Sequence, residues 1–256
     1  MRNENPKTII FITGAFVSHS VWDDYQAYFK KRGFNTYAPS WPYKDAPPEV
    51  LIKRQPDPEL AGLRLEHLVD YFESYTNRFP ESPYLIAEGL GGIVVEILLR
   101  KHIFKGCILI NPWPAYGFCP FRLKPLYLLA SIFASLQFQK TYLMPDSLWQ
   151  RFFAYGRTNK NTKHYSYRVP ESKMLIWDIA KRKFSSRKKT TVPCLIVATQ
   201  NALVPASVQF SDFTKHYTPS KEFKAFEKCK PPALGYPPDQ EMLDFIYGWI
   251  QKTIPE

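Results

Sequence analysis

A rhythm of short strand-like runs constrains this chain more than any other feature. Six runs rich in β-branched and apolar residues recur along its 256 residues: TIIFIT at 8–13, NTYAP at 35–39, YLIAE at 84–88, CILIN at 107–111, CLIVAT at 194–199 and EFKAF at 222–226. Several are continuously apolar rather than alternating, the pattern of strands buried on both faces of a parallel sheet. Between the first four lie stretches of helical period, such as Trp22, Tyr25 and Phe29, and later Leu65, Leu68, Val69 and Phe72. Each is long enough for a right-handed crossover. The class this implies is α/β, with a doubly wound, mainly parallel sheet. The rhythm stops after Asn111 and resumes at Thr191. Residues 1–111 and 191–256 are therefore expected to form one core, and residues 112–190 a cap or lid inserted between two of its strands. Pro112, Pro114, Pro120 and Pro125 mark an irregular start to that insertion, and the helical character of KPLYLLASIFASLQFQ suits a lid helix with an apolar face toward the core.

Charge is distributed unevenly in the same way. The chain carries 34 Lys and Arg against 23 Asp and Glu, a net charge of +11. Residues 121–190 hold 15 of those basic side chains and only three acids, Asp146, Glu171 and Asp178, so this stretch carries +12 and the rest of the chain −1. A basic, aromatic-rich insert on a near-neutral body points to an anionic membrane surface or an acidic partner. The charge is confined to the insert and no nucleic-acid module is recognisable, so nucleic acid is not expected. Cys107, Cys119, Cys194 and Cys229 lie in no metal-ligand spacing, are too few for a disulfide scaffold, and read as reduced thiols with no metal. The N-terminal MRNENPKTIIFITG has no signal-peptide core or small-residue cleavage site, which favours a cytoplasmic location. The apolar run Leu126 to Phe138 is too short to cross a bilayer, though it could lie on one.

Four local patterns then point the same way. FITGAFVSHSVWDDY resembles the first strand and oxyanion loop of the α/β-hydrolase superfamily, and YAPSWP the segment that follows its next strand. AEGLGGIVV resembles the nucleophile elbow and NALVP the turn bearing the catalytic acid, while INPWPAYG and VPES suggest bacterial members with a helical cap. The resemblance covers nearly the whole chain. It implies a Ser-His-Asp triad, and the chain departs from that triad at every position. A nucleophile elbow reads G-x-S-x-G because a sharp strand-to-helix turn needs small neighbours. Here the five residues are Ala87, Glu88, Gly89, Leu90 and Gly91, with glycine where the serine belongs. No other serine lies between Ser82 and Ser131. The acid position aligns with Asn201, and the histidine position with Tyr236 or a residue nearer Lys230. None of the five histidines, at 19, 67, 102, 164 and 216, follows the EFKAF run.

The same resemblance implies that main-chain donors at Ala15 or Phe16, after Gly14, would form an oxyanion hole with Leu90. A pocket lined by Gly14, Ala15, Phe16, His19, Leu90 and Trp113 is expected beneath the insert. His19 and Tyr236 are the candidate acid-base groups. Glu88 is a weaker one, because the side chain before an elbow nucleophile usually points away from the substrate. No cofactor is implied. The first expectation is a binding protein for a small, largely apolar carbonyl or carboxylate ligand, or for a protein partner, inactive as a serine hydrolase. A second is a non-hydrolytic lyase, cyclase or isomerase using the oxyanion hole. A third is a peripheral membrane protein acting through the basic cap.

Overall fold

The computed structural model describes residues 7–113, 123–135, 140–151, 165–181, 190–199, 221–226 and 239–253. Six strands form one sheet: β1 (Thr8–Ile12), β2 (Asn35–Tyr37), β3 (Tyr84–Glu88), β4 (Gly106–Ile110), β7 (Cys194–Thr199) and β8 (Lys221–Phe226). Their order is β2-β1-β3-β4-β7-β8, and every neighbouring pair is parallel. All six coincide with the runs read from the sequence to within two residues at either end. At β4 the shift has a visible cause: Asn111 has φ +45° and leaves the extended conformation. Its amide instead bonds the end of β7, donating to Thr199 Oγ1 at 2.8 Å and accepting from Thr199 N at 2.9 Å.

Helices cover both faces of the sheet. α1 (Asp23–Lys30) begins with two acids and ends in a lysine, charges that suit the helix dipole, and it buries Tyr25, Tyr28 and Phe29. These meet Phe11 of β1 and Trp22 in an aromatic cluster, with the Phe11 and Trp22 centroids 4.9 Å apart. α2 (Pro48–Lys53) and α3 (Pro58–Ala61) are short. α4 (Leu65–Thr76) buries Leu68, Val69, Phe72 and Thr76, one stripe of helical period. α5 (Gly91–Lys101), which follows β3, is buried nearly all round.

Between β4 and β7, which pair directly, come α6 (Leu123–Ala134), β5 (Thr141–Tyr142), α7 (Asp146–Trp149), β6 (Glu171–Ser172) and α8 (Lys173–Lys181). β5 and β6 form a two-residue antiparallel ribbon apart from the main sheet. Strands this short have no periodicity, which is why the sequence does not announce them. The stretch is tied to the body by specific bonds. Asp178 of α8 pairs bidentately with Arg64, at 2.6 and 2.7 Å, and also accepts from Leu65 N at 3.2 Å, so it caps α4, whose own Arg64 cannot. Ser172 Oγ donates to the Leu63 carbonyl at 2.8 Å. The last helix, α9 (Gln240–Lys252), is capped by Asp239, which accepts from Met242 N at 2.9 Å. Among the described residues no helix is long and apolar enough to cross a membrane.

Chain direction places the functional end. From β1 the chain passes to β2 on one side, then crosses to β3 on the other. In a doubly wound sheet such a reversal opens a crevice at the carboxyl ends of the two strands. Those ends run into Gly14 and Gly89.

Candidate functional site

Gly89 forms the sharp turn from β3 into α5. Its φ of +54° lies in the left-handed region, where an L-residue is strained by about 1–2 kcal/mol. The turn is braced from both sides. Gly89 N donates to the Ile110 carbonyl at 3.0 Å, and the Gly89 carbonyl accepts from Gly92 N at 3.2 Å and Trp113 N at 3.1 Å. A Cβ placed on Gly89 would meet no heavy atom of a described residue within 4 Å. Gly91 is the opposite case: a Cβ there would lie 2.6 Å from the Thr13 carbonyl oxygen and 2.7 Å from that of Ile12. Only glycine lets α5 start this close to β1. Gly91→Ala should lower stability by about 2 kcal/mol or more, read from chemical denaturation, because the obstructing atoms are backbone and cannot swing aside.

Facing this turn is the loop after β1. Thr13 Oγ1 accepts from Trp22 Nε1 at 3.0 Å, which fixes the loop's base. The Glu88 carboxyl accepts the Gly14 N–H, and it is packed so closely on Gly14 that a Cβ there would collide with Oε2. Burial raises the Glu88 pKa to about 7, and the Gly14 bond only partly opposes that shift. Phe16 has φ +69°, and its N–H donates to Glu171 Oε2 at 3.1 Å. Glu171 is fully buried and also bonds the Lys44 ammonium at 2.6 Å, through Oε2, and Ser172 N at 3.1 Å, through Oε1. Lys44 is buried too, with Nζ 4.4 Å from the Trp41 ring centroid. Burial pushes the Lys44 ammonium below its usual pKa, and the Glu171 carboxylate works against that.

Neither Lys44 nor Glu171 stands out as a site residue in the sequence. VPES marks the position of Glu171 but not its partner, which lies 127 residues away. The surrounding backbone extends the same junction, with Val169 N donating to the Phe16 carbonyl at 2.9 Å and Ser18 N to that of Tyr167 at 2.8 Å.

Next to the Gly89 turn lies an apolar cavity of about 20 Å³, lined by Phe16, Leu90 and Trp113 together with Leu128 and Ile132 of α6 and Ile176 of α8. That is room for about one water. His19 does not line it. His19 opens a 3₁₀ turn capped by Ser18, whose side chain accepts from Ser20 N, and its charged neighbours are Asp23, Lys44 and Asp45. Burial lowers its pKa, and its buried Nδ1 bonds no described residue. Gly14 and Ala15 form the loop wall rather than the cavity lining. Asn201 and Tyr236 lie outside the described residues. Among the described residues no cluster of His, Cys, Asp or Glu could hold a metal ion.

Solved structures align with this one over nearly the whole chain. A pyrethroid hydrolase from Sphingobium faniae JZ-2 superposes with a TM-score of 0.69 at 14% identity, covering 96% of this chain and 98% of its own. Tomato methylketone synthase I, solved with 2-tridecanone, gives 0.70 at 13%, covering 98% and 100%. The chain has the α/β-hydrolase fold. A monoacylglycerol lipase from Paleococcus ferrophilus superposes at 0.64 and 15% identity, covering 97% and 96%. No protein-family model and no curated protein sequence matches the chain. The Gly89 turn and residues 14–16 follow the carboxyl ends of the neighbouring strands β3 and β1. The structure also distinguishes the two candidate loop donors. Phe16 N–H is taken by Glu171, whereas no described residue accepts from the N–H of Ala15 or of Leu90.

Proposed function

We propose that this α/β-hydrolase-like protein does not hydrolyse esters through a serine and keeps the crevice at Gly89 for binding a small, largely apolar carbonyl or carboxylate compound. One observation carries the reading: the residue in the elbow turn is a glycine, with no atom to attack a carbonyl and no side chain for a base to activate. The cavity lining is apolar, and the Ala15 and Leu90 N–H groups remain to hold an oxygen, a combination that suits a small-molecule site. A compound larger than water needs α6 and α8 to move off Phe16 and Leu90, so binding is coupled to displacement of those helices. A medium-chain ketone such as 2-tridecanone, which the methylketone synthase holds, is an apt probe. Calorimetric titration with 2-tridecanone should show saturable binding, and a flat titration would remove the ligand half of the reading.

Fluorophosphonate probes should leave the protein unlabelled, and activated esters should turn over no faster than with heat-denatured protein. Covalent labelling at any residue would sink the proposal. Gly89→Ser should fit at a cost of about 1–2 kcal/mol in backbone strain, yet still hydrolyse poorly, because the sequence aligns Asn201 with the acid position, and Tyr236 or a residue nearer Lys230 with that of the histidine. The lyase, cyclase or isomerase alternative needs an acid-base group in the cavity. The position of His19 argues against it in that role.

A further inference from the structure

The outward surface of α6 and α8 is unusual for a helix pair on a water-facing protein. Over residues 127–134 α6 turns Leu128 and Ile132 inward, and exposes Tyr127, Ala130, Phe133 and Ala134. None of these eight residues is charged. α8 exposes Met174, Trp177 and Lys181. The two faces join, with the Phe133 and Trp177 rings packed edge to face at 5.3 Å while remaining 39% and 43% exposed. Cations sit on the aromatic ridge: Lys181 Nζ lies 4.3 Å from the Trp177 centroid, and the Arg151 guanidinium 5.2 Å from that of Tyr127.

The electrostatics of residues 121–190 give this ridge a partner. Their three acids are all engaged in ion pairs: Glu171 with Lys44, Asp178 with Arg64, and Asp146 with Arg168. Two of those pairs neutralise residues of the body. With 15 basic side chains against those three acids, the stretch keeps a large excess of positive charge. An exposed aromatic and aliphatic ridge within so strongly basic a stretch is complementary to a surface that is apolar within and negative at its face.

We propose that the α6–α8 ridge docks on an anionic lipid bilayer. Tyr127, Phe133, Met174 and Trp177 enter the headgroup region, where amphipathic rings are favoured, and Lys181 meets acidic headgroups. α6 has 12 residues and lies along the surface rather than across it. The attachment is reversible and weakens with salt, since screening shortens the reach of the basic stretch.

The test is sedimentation of the whole protein with phosphatidylcholine vesicles, with and without about one-third phosphatidylglycerol, at low salt and at about 0.5 M salt. Retention is expected on the anionic vesicles only, with a blue shift of tryptophan emission, and it should fall at high salt. The double variant Phe133→Ala, Trp177→Ala should weaken retention by about tenfold or more, through loss of apolar insertion. Lys181→Glu, which leaves the ridge intact, should weaken it through charge alone. Absence of retention, equal retention on neutral vesicles, or retention unchanged in both variants would overturn the proposal. So would a dimer in solution that the double variant dissolves, which would assign the ridge to a second copy of the chain.

Discussion

Glu171→Ala should destabilise the protein by about 3–5 kcal/mol, the usual consequence of removing one partner from a buried ion pair. Glu171 is fully buried and Lys44 is 4% exposed, so water cannot replace the lost carboxylate. The variant strands three donors at once, the Lys44 ammonium and the N–H groups of Phe16 and Ser172. pH separates this cause from simple loss of packing. In the variant Lys44 keeps its burial and loses the group that opposes the downward shift of its pKa. A base whose folded pKa lies below its unfolded value binds more protons when unfolded, so stability rises with pH. The denaturation midpoint of Glu171→Ala should therefore climb toward that of the parent as pH increases through the alkaline range. A pH-independent deficit would assign the loss to packing. Replacing both residues together, as Lys44→Met with Glu171→Leu, should recover part of the deficit, since no charge is then left buried alone. Recovery stays incomplete because Phe16 N–H still lacks an acceptor, a residual cost of about 1–3 kcal/mol.

This pair also shows where the sequence is readable and where it is not. Strands such as YLIAE and CLIVAT are visible because burial on both faces writes a continuous apolar run into neighbouring residues. The Gly89 turn is visible because Gly91 must be glycine for α5 to pass the Thr13 carbonyl, and that steric demand falls on adjacent positions. Lys44 and Glu171 impose their demand on each other across 127 residues, and a lone lysine in WPYKD looks like any surface lysine. His19 is a related case. The sequence places it in the right loop, but the 3₁₀ turn capped by Ser18 sets its orientation, and its charged neighbours are Asp23, Lys44 and Asp45 rather than groups lining the cavity. Phe16, Leu90 and Trp113 are placed by backbone hydrogen bonds and sheet order, so less depends on side-chain rotation.

Glu88 supplies a stability switch adjoining the Gly89 turn, and Glu88→Gln should stabilise the protein most at alkaline pH. The folded-state pKa of Glu88 is raised from 4.5 to about 7 because burial disfavours the charged carboxylate. An acid whose folded pKa lies above its unfolded one holds its proton more tightly when folded. Its contribution is fully present below about pH 4.5, and is lost as pH rises through about 7. A shift of that size corresponds to at most about 3 kcal/mol. Glutamine keeps a carbonyl oxygen to accept from Gly14 N–H and cannot ionise, so it removes the alkaline loss without opening a cavity. Denaturation midpoints measured from about pH 4 to 9 should fall with pH in the parent, and should diverge upward in the variant as Glu88 ionises. Parallel curves would show that the Glu88 carboxyl is solvated in the folded protein. The sign matters for function as well. At neutral pH Glu88 is divided between its two forms, and the charged form sits against Gly14 N–H at the base of the loop after β1, next in the chain to the N–H of Ala15. Deprotonation therefore places negative charge behind the donor proposed to hold a ligand oxygen. If the Ala15 N–H holds a carboxylate, affinity should fall above about pH 7 in the parent and stay level in Glu88→Gln, whereas affinity for a neutral ketone should respond far less.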